Sequence, residues 1–376
     1  MSNSPLEQLC CTASNPYPDE ATKAKLTSLC SSITDWSALE QLVKDNRIAA
    51  LLYWHNQQGH ISLPKANELQ LASWFIRNRK VATVRDDWLT ILTDKLNEAG
   101  IDHAYLKGTA LCHLIYPSPY IRSMDDIDIL IDNAHNDQVY QILLALGVSV
   151  KMPTTNKELG CHQWPIATVY YESVKFDIEI HTRVLSRRIG GYGFMSDFRD
   201  SLVPFTVGEQ TRYAISHEDF LITQLHRFKH LTEIFRLIDI TDIAAYLERY
   251  ADQMNWDRIY KQHSWIQNCL MAIDCVTPLS AQVKAMAKIP NDYANRTFDL
   301  NNDPYAGLPV NRYLLARGLQ KDLPLAKRVV NTVAPSLWWM TLVYGTSTSL
   351  TSRLKGYFIQ HPISVAKQLF NAAMYK

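Results

Sequence analysis

Residues 126–131 read DIDILI, a run that alternates acidic and branched apolar side chains. Such alternation is typical of a half-buried strand, because successive side chains of a strand point to opposite faces of the sheet. Asp126 and Asp128 therefore share one face, and Ile127 and Ile129 share the other. A chain with this run is constrained to form a β-sheet that holds two carboxylates close together on one face.

The segments around this strand predict a small sheet between helical regions. Residues 20–100 carry apolar side chains at three- and four-residue spacing, and the absence of Gly and Pro from Lys65 to Ala99 predicts one long helix or two close ones. Residues 101–185 predict strand, helix, strand, helix and a hairpin that turns at Glu172–Ser173. The fold class is therefore α+β, with a small mixed β-sheet core flanked by N-terminal and C-terminal helical regions.

Changes of pattern divide the chain into four regions. Residues 1–100 form an N-terminal helical region, and residues 101–212 form the α/β core. Residues 213–290 return to helical spacing after a cap at Ser216, and we expect them to pack on the core. Residues 291–376 comprise an irregular segment and a basic, helical C-terminal region.

Charge, hydropathy and cysteine content exclude several classes of protein. Lys plus Arg number 38 and Asp plus Glu 37, so the chain as a whole gives no strong signal for nucleic-acid binding. No apolar stretch is long enough for a transmembrane helix, and the N-terminal residues lack the pattern of a signal peptide. Seven cysteines without CxxC spacing suit a reducing compartment. We therefore expect a cytoplasmic protein.

The paired carboxylates predict a metal site. Two carboxylates on one strand face repel each other unless a cation lies between them. Mg²⁺, with Mn²⁺ as the alternative ion, takes oxygen ligands of this kind together with substrate phosphates. We expect Asp126 and Asp128 to hold two such ions, as two-metal phosphoryl transfer requires. The opposing interpretation is that both acids line the solvated face of an edge strand.

The turn that precedes this strand has the features of a phosphate site. Lys107, Gly108 and Thr109 follow the strand predicted at residues 101–106 and open a helix. A glycine lets the backbone approach a phosphate, and a helix N-terminus offers free N–H groups. Arg122, in the loop before Asp126, can neutralise phosphate charge. Gly108 could instead serve only a tight turn.

A third carboxylate is expected from the second strand of the hairpin. Asp177, Glu179 and His181 alternate along this strand and share one face. Either acid could complete a metal site with the Asp126–Asp128 pair. The spacing of the residues leaves the choice between Asp177 and Glu179 open.

The run KGTALCHLIYPSPYIRSMDDIDILI, residues 107–131, resembles the signature of the bacterial uncharacterised nucleotidyltransferase family, within the polymerase-β-like superfamily. The resemblance extends over about residues 40–265. It implies a nucleotidyltransferase core, with Asp126 and Asp128 as paired metal ligands and Glu179 as the third carboxylate. It also matches Gly108 and Thr109 to the nucleotide-binding turn.

His181 matches a position of the same family, and we assign it to nucleotide binding with Lys107 and Arg122. One departure from the family's pattern is Asp125, an acid where a small residue usually precedes the metal pair. A third acid there could tune metal affinity or bind nothing.

These residues predict a metal-dependent nucleotidyltransferase that transfers a nucleoside monophosphate from an NTP to an acceptor and releases pyrophosphate. Catalysis is assigned to Asp126, Asp128 and Glu179. ATP is the reference nucleotide, since base preference has no signature in the sequence, and the acceptor stays open among protein, peptide, sugar, lipid-linked and small molecules. The alternative is a nucleotide-binding or scaffold module without turnover that acts through a partner or a membrane surface.

Two further features have competing interpretations. His226 and His230 lie four apart on a predicted helix, and we favour core or substrate-cleft histidines over a zinc site. Residues 321–376 carry a single acid, Asp322, and seven basic residues: Lys321, Lys327, Arg328, Arg353, Lys355, Lys367 and Lys376. This region could contact an anionic membrane peripherally, or it could be a helical subdomain docked on the core, which we prefer.

Overall fold

A computed structural model describes residues 4–151, 163–185, 193–230, 236–290, 333–347 and 349–366, together with 326 and 330. The chain forms two compact units. One comprises residues 1–46, 60–62 and 225–376, and the other comprises residues 47–59 and 63–224. We call them the helical unit and the sheet unit.

The described helices of four or more residues follow one another along the whole chain. They are α1 (Pro5–Thr12), α2 (Glu20–Ser32), α3 (Leu39–Asp45), α4 (Ala49–Gln57), α5 (Lys65–Glu98), α6 (Lys107–Leu114), α7 (Asn136–Ala145), α8 (Met195–Phe198), α9 (His217–His230), α10 (Leu237–Tyr250), α11 (Trp256–Gln262), α12 (Ile266–Val276), α13 (Ala281–Met286), α14 (Leu337–Tyr344) and α15 (Leu350–Lys355), which a π turn (Gly356–Gln360) extends.

The strands all belong to the sheet unit. They are β1 (His103–Leu106), β2 (Asp126–Ile131), β3 (Ser149–Lys151), β4 (Gln163–Tyr171), β5 (Val174–His181), β6 (Val203–Val207) and β7 (Gln210–Ala214). They form one seven-stranded sheet in the order β3-β4-β5-β2-β1-β7-β6. The β2–β5 and β1–β7 pairs are parallel and the other pairs are antiparallel. The predicted α+β class with a mixed sheet is confirmed.

The parallel pairing of β2 with β5 brings the acidic residues of both strands together. Asp126 lies opposite Asp177, and Asp128 lies opposite Glu179. Residues directly opposite each other point to the same face of a sheet, so all four carboxylates share one face. Because β2 and β5 are neighbours in the middle of the sheet, this face is not that of an edge strand.

Helix α5 covers the other face of the sheet. It begins after Pro64 and runs unbroken over 34 residues, as the absence of Gly and Pro allows. The Trp88 ring meets that of Phe176 at 5.6 Å between centroids. The Thr93 hydroxyl bonds to the Tyr105 hydroxyl at 2.5 Å. This helix therefore buries the apolar face and leaves the carboxylate face on the opposite side.

Three strands were absent from the prediction. β3 has only three residues, and β6 and β7 form a hairpin in a stretch that reads VPFTV and QTRYA. Pro204 weakens the strand pattern of β6, and a short run next to proline is easily taken for a loop. The segment 187–201 contains α8, while its residues 187–192 lie outside the described part of the chain.

The helical unit is held together by buried polar contacts as well as apolar packing. The Asn46 side chain accepts a hydrogen bond from the Leu237 backbone N–H at 3.1 Å, at the start of α10. The Asn15 side chain donates to Glu248 at 3.1 Å. The buried Trp338 indole donates to the Ala272 carbonyl at 2.9 Å. These bonds join α10 to the N-terminal residues, and α14 to α12.

Candidate active site

The site is built where β1 passes directly into α6. Lys107 is the first residue of α6 and has φ 45°, in the left-handed region that non-glycine residues rarely adopt. Such strain is retained where the surrounding structure requires it, and it often accompanies functional sites. The turn places the Lys107 side chain on the carboxylate face of the sheet.

Lys107 and His181 both contact the β2–β5 carboxylates. The Lys107 ammonium lies 2.5 Å from Asp128 Oδ1 and 3.6 Å from Glu179 Oε2. His181 Nε2 lies 2.7 Å from the same Asp128 oxygen and 3.6 Å from Glu179 Oε2. With Asp126, these residues form what we call the carboxylate cluster.

Burial makes the charges of this cluster strongly interdependent. The side chains of Asp128 and His181 are 1% and 0% exposed, and that of Glu179 is 18% exposed. Burial alone would raise the pKa of Asp128, but Lys107 and His181 hold it well below its usual range. The pKa of Glu179 is lowered against burial by His181 and Lys107. Both carboxylates are therefore anionic at neutral pH.

Asp126 behaves differently from its two neighbours. Burial and the nearby Asp128 charge raise the pKa of Asp126 to about 6. Lys107 opposes this shift without overcoming it. The cluster thus contains more negative charge than its own cation neutralises, and Asp126 bears the excess.

The turn residues Gly108 and Thr109 pack against the carboxylate cluster and the loop before it. The Asp128 backbone N–H donates to the Thr109 hydroxyl at 3.0 Å, and Thr109 is buried. A Cβ on Gly108 would overlap the Arg122 guanidinium and lie 2.6 Å from the Met124 sulfur. Only glycine leaves room for this close approach. Arg122 therefore lies directly against the predicted phosphate-binding turn.

The two acids that compete with the predicted ligands have other partners. Asp177 accepts a hydrogen bond from the Thr168 hydroxyl at 2.7 Å. The side chain of Asp125 is 68% exposed and pairs with Arg47. Among the described residues, the group of three metal-capable side chains within 4.8 Å of one another is Asp128, Glu179 and His181.

Arg85 on α5 had no signal in the sequence. It is 2% exposed, and its Nε and Nη2 have no hydrogen-bond partner among the residues that the structure describes. Burial lowers the pKa of Arg85, while Asp126 and Arg122 act on it electrostatically. A helical arginine without a motif around it cannot be distinguished from a surface residue by sequence.

The histidine pair is only partly described. The His226 ring packs on the Trp265 ring at 4.4 Å between centroids and lies 5.9 Å from the His263 ring. The side chain of His230 lies outside the described part of the chain. This aromatic packing agrees with a core histidine at position 226.

The donor chemistry of the carboxylate cluster suits a divalent cation. Carboxylate oxygens are the ligands of Mg²⁺ and Mn²⁺, and imidazole is a ligand of transition metals such as Mn²⁺ as well. The excess negative charge near Asp126 favours the binding of a further cation besides the Lys107 ammonium. The mixed sheet, the glycine turn and this acidic face are the features that the resemblance to the nucleotidyltransferase family predicts.

Comparison with known proteins gives the family. The chain belongs to the uncharacterised nucleotidyltransferase family, whose sequence profile matches residues 32–267. The match includes every residue of the carboxylate cluster and the turn at Gly108. No curated protein matches the chain significantly.

Three solved structures resemble the chain at low identity. An antigenic nucleotidyltransferase-like protein from Paracoccidioides brasiliensis is 14% identical, with a TM-score of 0.35 over 54% of this chain and 97% of that one. The antibiotic-resistance factor ANT(2'')-Ia is 10% identical, with a TM-score of 0.33 over 49% and 98%. The lincomycin-bound lincosamide adenylyltransferase LnuA is 18% identical, with a TM-score of 0.29 over 42% and 93%. Such scores say nothing about the substrate of this chain.

Proposed function

We propose that this protein is a metal-dependent enzyme that transfers a nucleoside monophosphate from an NTP to an acceptor and releases pyrophosphate. The observation that supports this most directly is the convergence of Asp126, Asp128 and Glu179 on one sheet face, beside the glycine turn that opens α6. A structural role explains any one of these residues but not a surplus of buried negative charge.

In this proposal Asp126, Asp128 and Glu179 hold divalent ions. Bound there, such ions would supply positive charge for the triphosphate and Lewis acidity for the attacking oxygen. Glu179 suits a ligand better than a general base, because its pKa is lowered. His181 orients the Asp128 carboxylate through the 2.7 Å contact.

The turn and its arginine would receive the triphosphate. Gly108 removes the side chain that would block approach to the α6 N-terminus, and Arg122 lies against it with a positive charge. A cation at Asp128 and Glu179 would compete with the Lys107 ammonium, which would then be available to the phosphates. The acceptor oxygen forms a bond to the α-phosphorus, the bond to the pyrophosphate oxygen breaks, and the proton of the acceptor passes to solvent water.

Thermal unfolding with nucleotide tests this proposal. Wild type, Asp126→Asn/Asp128→Asn, Glu179→Gln and Asp177→Asn would each be measured with and without Mg²⁺ or Mn²⁺ and each of the four NTPs, beginning with ATP. Asp177→Asn is a matched control, since Asp177 shares the sheet face but bonds to Thr168. A nucleotide at 100 times its dissociation constant stabilises the native state by about 2.7 kcal/mol.

We expect a metal-dependent shift in wild type and in Asp177→Asn, and none in the double variant. Loss of the shift in Asp177→Asn and its retention in Glu179→Gln would make Asp177 the third ligand. Absence of any shift in wild type would reject the nucleotide site. A shift without label transfer from α-³²P-ATP to any acceptor class would instead support the binding module.

A further inference from the structure

The helix formed by α15, the π turn and the residues that follow to 366 has two different sides. One side packs on the helical unit. A Cβ on Gly356 would lie 2.9 Å from the Met340 side chain of α14. His361 is 2% exposed, and its ring bonds to the Tyr344 hydroxyl at 3.1 Å. The Tyr357 hydroxyl donates to the Pro335 carbonyl at 2.7 Å. The helix is therefore docked in a fixed orientation.

The side away from α14 exposes large apolar side chains. Between 48 and 74% of the surface of each of these residues is accessible: Leu350, Leu354, Phe358, Ile359 and Ile363. Most of them recur at a spacing of four residues. Four-residue spacing drifts around an α-helix of 3.6 residues per turn, but the wider π turn reduces the drift. Pro362, which lacks an N–H, lies two residues beyond the last residue of the π turn. The result is an apolar stripe along the outer side, which we call the outer stripe.

Basic residues flank the outer stripe. Arg353 and Lys355 are exposed on either side of Leu354. The surrounding sequence is strongly biased in the same direction, since residues 321–376 contain seven Lys or Arg and a single acid. The whole chain has a net charge of +1, so this positive charge is concentrated here. An apolar stripe with a basic border matches the chemistry of an anionic lipid surface, in which acyl chains receive the apolar side chains and headgroups attract the cations.

We propose that the outer stripe binds an anionic membrane surface, so that the helix lies in the plane of the headgroups. Among the described residues, no helix is long and apolar enough to cross a membrane. The contact would therefore be peripheral and reversible. A second copy of the chain would bury the apolar residues equally well, but the basic residues that border one stripe would then face those of the other.

Vesicle co-sedimentation tests the proposal with the full chain. Vesicles of phosphatidylcholine alone and of phosphatidylcholine with phosphatidylglycerol would be compared. Phe358→Ser/Ile359→Ser removes part of the outer stripe, and its matched control is Leu69→Ser/Ile76→Ser, which alters exposed apolar residues of α5. Arg353→Gln/Lys355→Gln removes the basic border, and its control is Lys65→Gln/Lys95→Gln, with the same change in net charge.

We expect wild type and both controls to bind the anionic vesicles and not the neutral ones. The serine pair should weaken binding by at least about tenfold, and the glutamine pair by about tenfold with a loss of salt sensitivity. Phe358→Trp should show a blue-shifted emission with anionic vesicles, because the indole enters the acyl region. Circular dichroism would establish that each variant is folded.

Three results would overturn the proposal. Equal binding by the serine pair would mean electrostatic adsorption without insertion. An unshifted Phe358→Trp emission on bound protein would mean the same. Absence of vesicle binding, with a concentration-dependent dimer that the serine pair abolishes, would assign the outer stripe to a second copy of the chain.

Discussion

Two groups of charged residues in the sheet unit both combine carboxylates with basic side chains. In one group the basic side chains outnumber the acidic ones, and in the other the acidic side chains outnumber the basic ones. Asp86, His113 and Arg212 form the first, which we call the Asp86 cluster. His113 Nε2 lies 3.3 Å from Asp86 Oδ1, and Arg212 donates to the Asp86 carbonyl at 3.0 Å. Burial alone would lower the pKa of His113, but its contacts with Cys112 and Asp86 raise the pKa to about 10. One anion there faces two cations. The carboxylate cluster has three carboxylates around Lys107 and His181, so its acids outnumber its basic groups.

This difference distinguishes a structural network from the metal and nucleotide site that we propose. In the Asp86 cluster the carboxylate supports its neighbours, and the His113 ring also stacks on Phe205 at 6.0 Å between centroids. In the carboxylate cluster Asp126 carries a charge that burial and the Asp128 carboxylate disfavour. Buried charge that the protein itself does not balance indicates a role in binding, because it reduces stability until a ligand arrives.

The largest expected effect on stability comes from a substitution in the Asp86 cluster. Asp86→Asn would leave the half-buried His113 and the buried Arg212 without their carboxylate, which should lower the free energy of unfolding by about 3 kcal/mol. Urea denaturation measures the change. Asp87→Asn, at the neighbouring position of α5, is the control. An Asp86→Asn variant as stable as wild type would mean that the two clusters do not differ in this respect.

The pH dependence of stability should show the same network. The folded pKa of His113, about 10, exceeds its ordinary value of 6.5. The stabilisation is therefore complete below about pH 6.5 and is lost as the pH rises towards 10. Wild type should lose about 3 kcal/mol more than His113→Gln between neutral pH and about pH 10. Parallel curves for the two proteins would contradict a protonated His113.

Asp126→Asn should raise the free energy of unfolding, whereas Asp86→Asn should lower it. Because the pKa of Asp126 is raised to about 6, its ionisation costs stability as the pH rises from about 4 through 6. Without metal, the variant should exceed wild type by about 1 to 2 kcal/mol at about pH 8, and by nothing below about pH 4. Added Mn²⁺ should stabilise wild type and not the variant. A variant less stable than wild type at both pH values would refute the idea of unbalanced charge.

The smallest expected effect tests how the carboxylate cluster is anchored. Thr109→Val removes the acceptor of the Asp128 backbone N–H and should lower the free energy of unfolding by about 1 kcal/mol. It should also weaken Mn²⁺ binding, measured by electron paramagnetic resonance of the free ion. Thr109→Ser keeps the hydroxyl and is the matched control. Equal Mn²⁺ affinity in both variants would show that the bond is structural only.

Local periodicity predicted the elements that surround the site. The alternation of β2 and of the β4–β5 hairpin, and the unbroken helical spacing of α5, each follow from nearest neighbours along the chain. The pairing of β7 with β1 joins segments far apart in sequence, and a five-residue strand has too little pattern to show where it pairs. The edge of the sheet beyond β1 therefore required the structure.

The candidate site divides in the same way. That Asp126 and Asp128 share a face follows from the period of a strand, and the family resemblance pointed to Glu179 beside them. The contacts of Lys107 with Asp128 and Glu179 depend on its own left-handed backbone conformation. A lysine in the sequence does not predict that conformation. The position of Arg85 depends on how α5 crosses the sheet. The catalytic roles of Asp126, Asp128 and Glu179 stay predictions until the variants are measured.

The parallel pairing of β2 with β5 also has a consequence for folding. His181 and Asp128 are 53 positions apart, and the chain must complete α7, β3 and β4 before they meet. Contacts of such sequence separation form slowly, because a long loop must close first. A nascent or truncated chain that ends before β5 would lack Glu179 and His181 of the proposed ion site. Retention of a divalent ion would therefore report that the whole central sheet has assembled, and ion-dependent protection from proteolysis would appear only late in refolding.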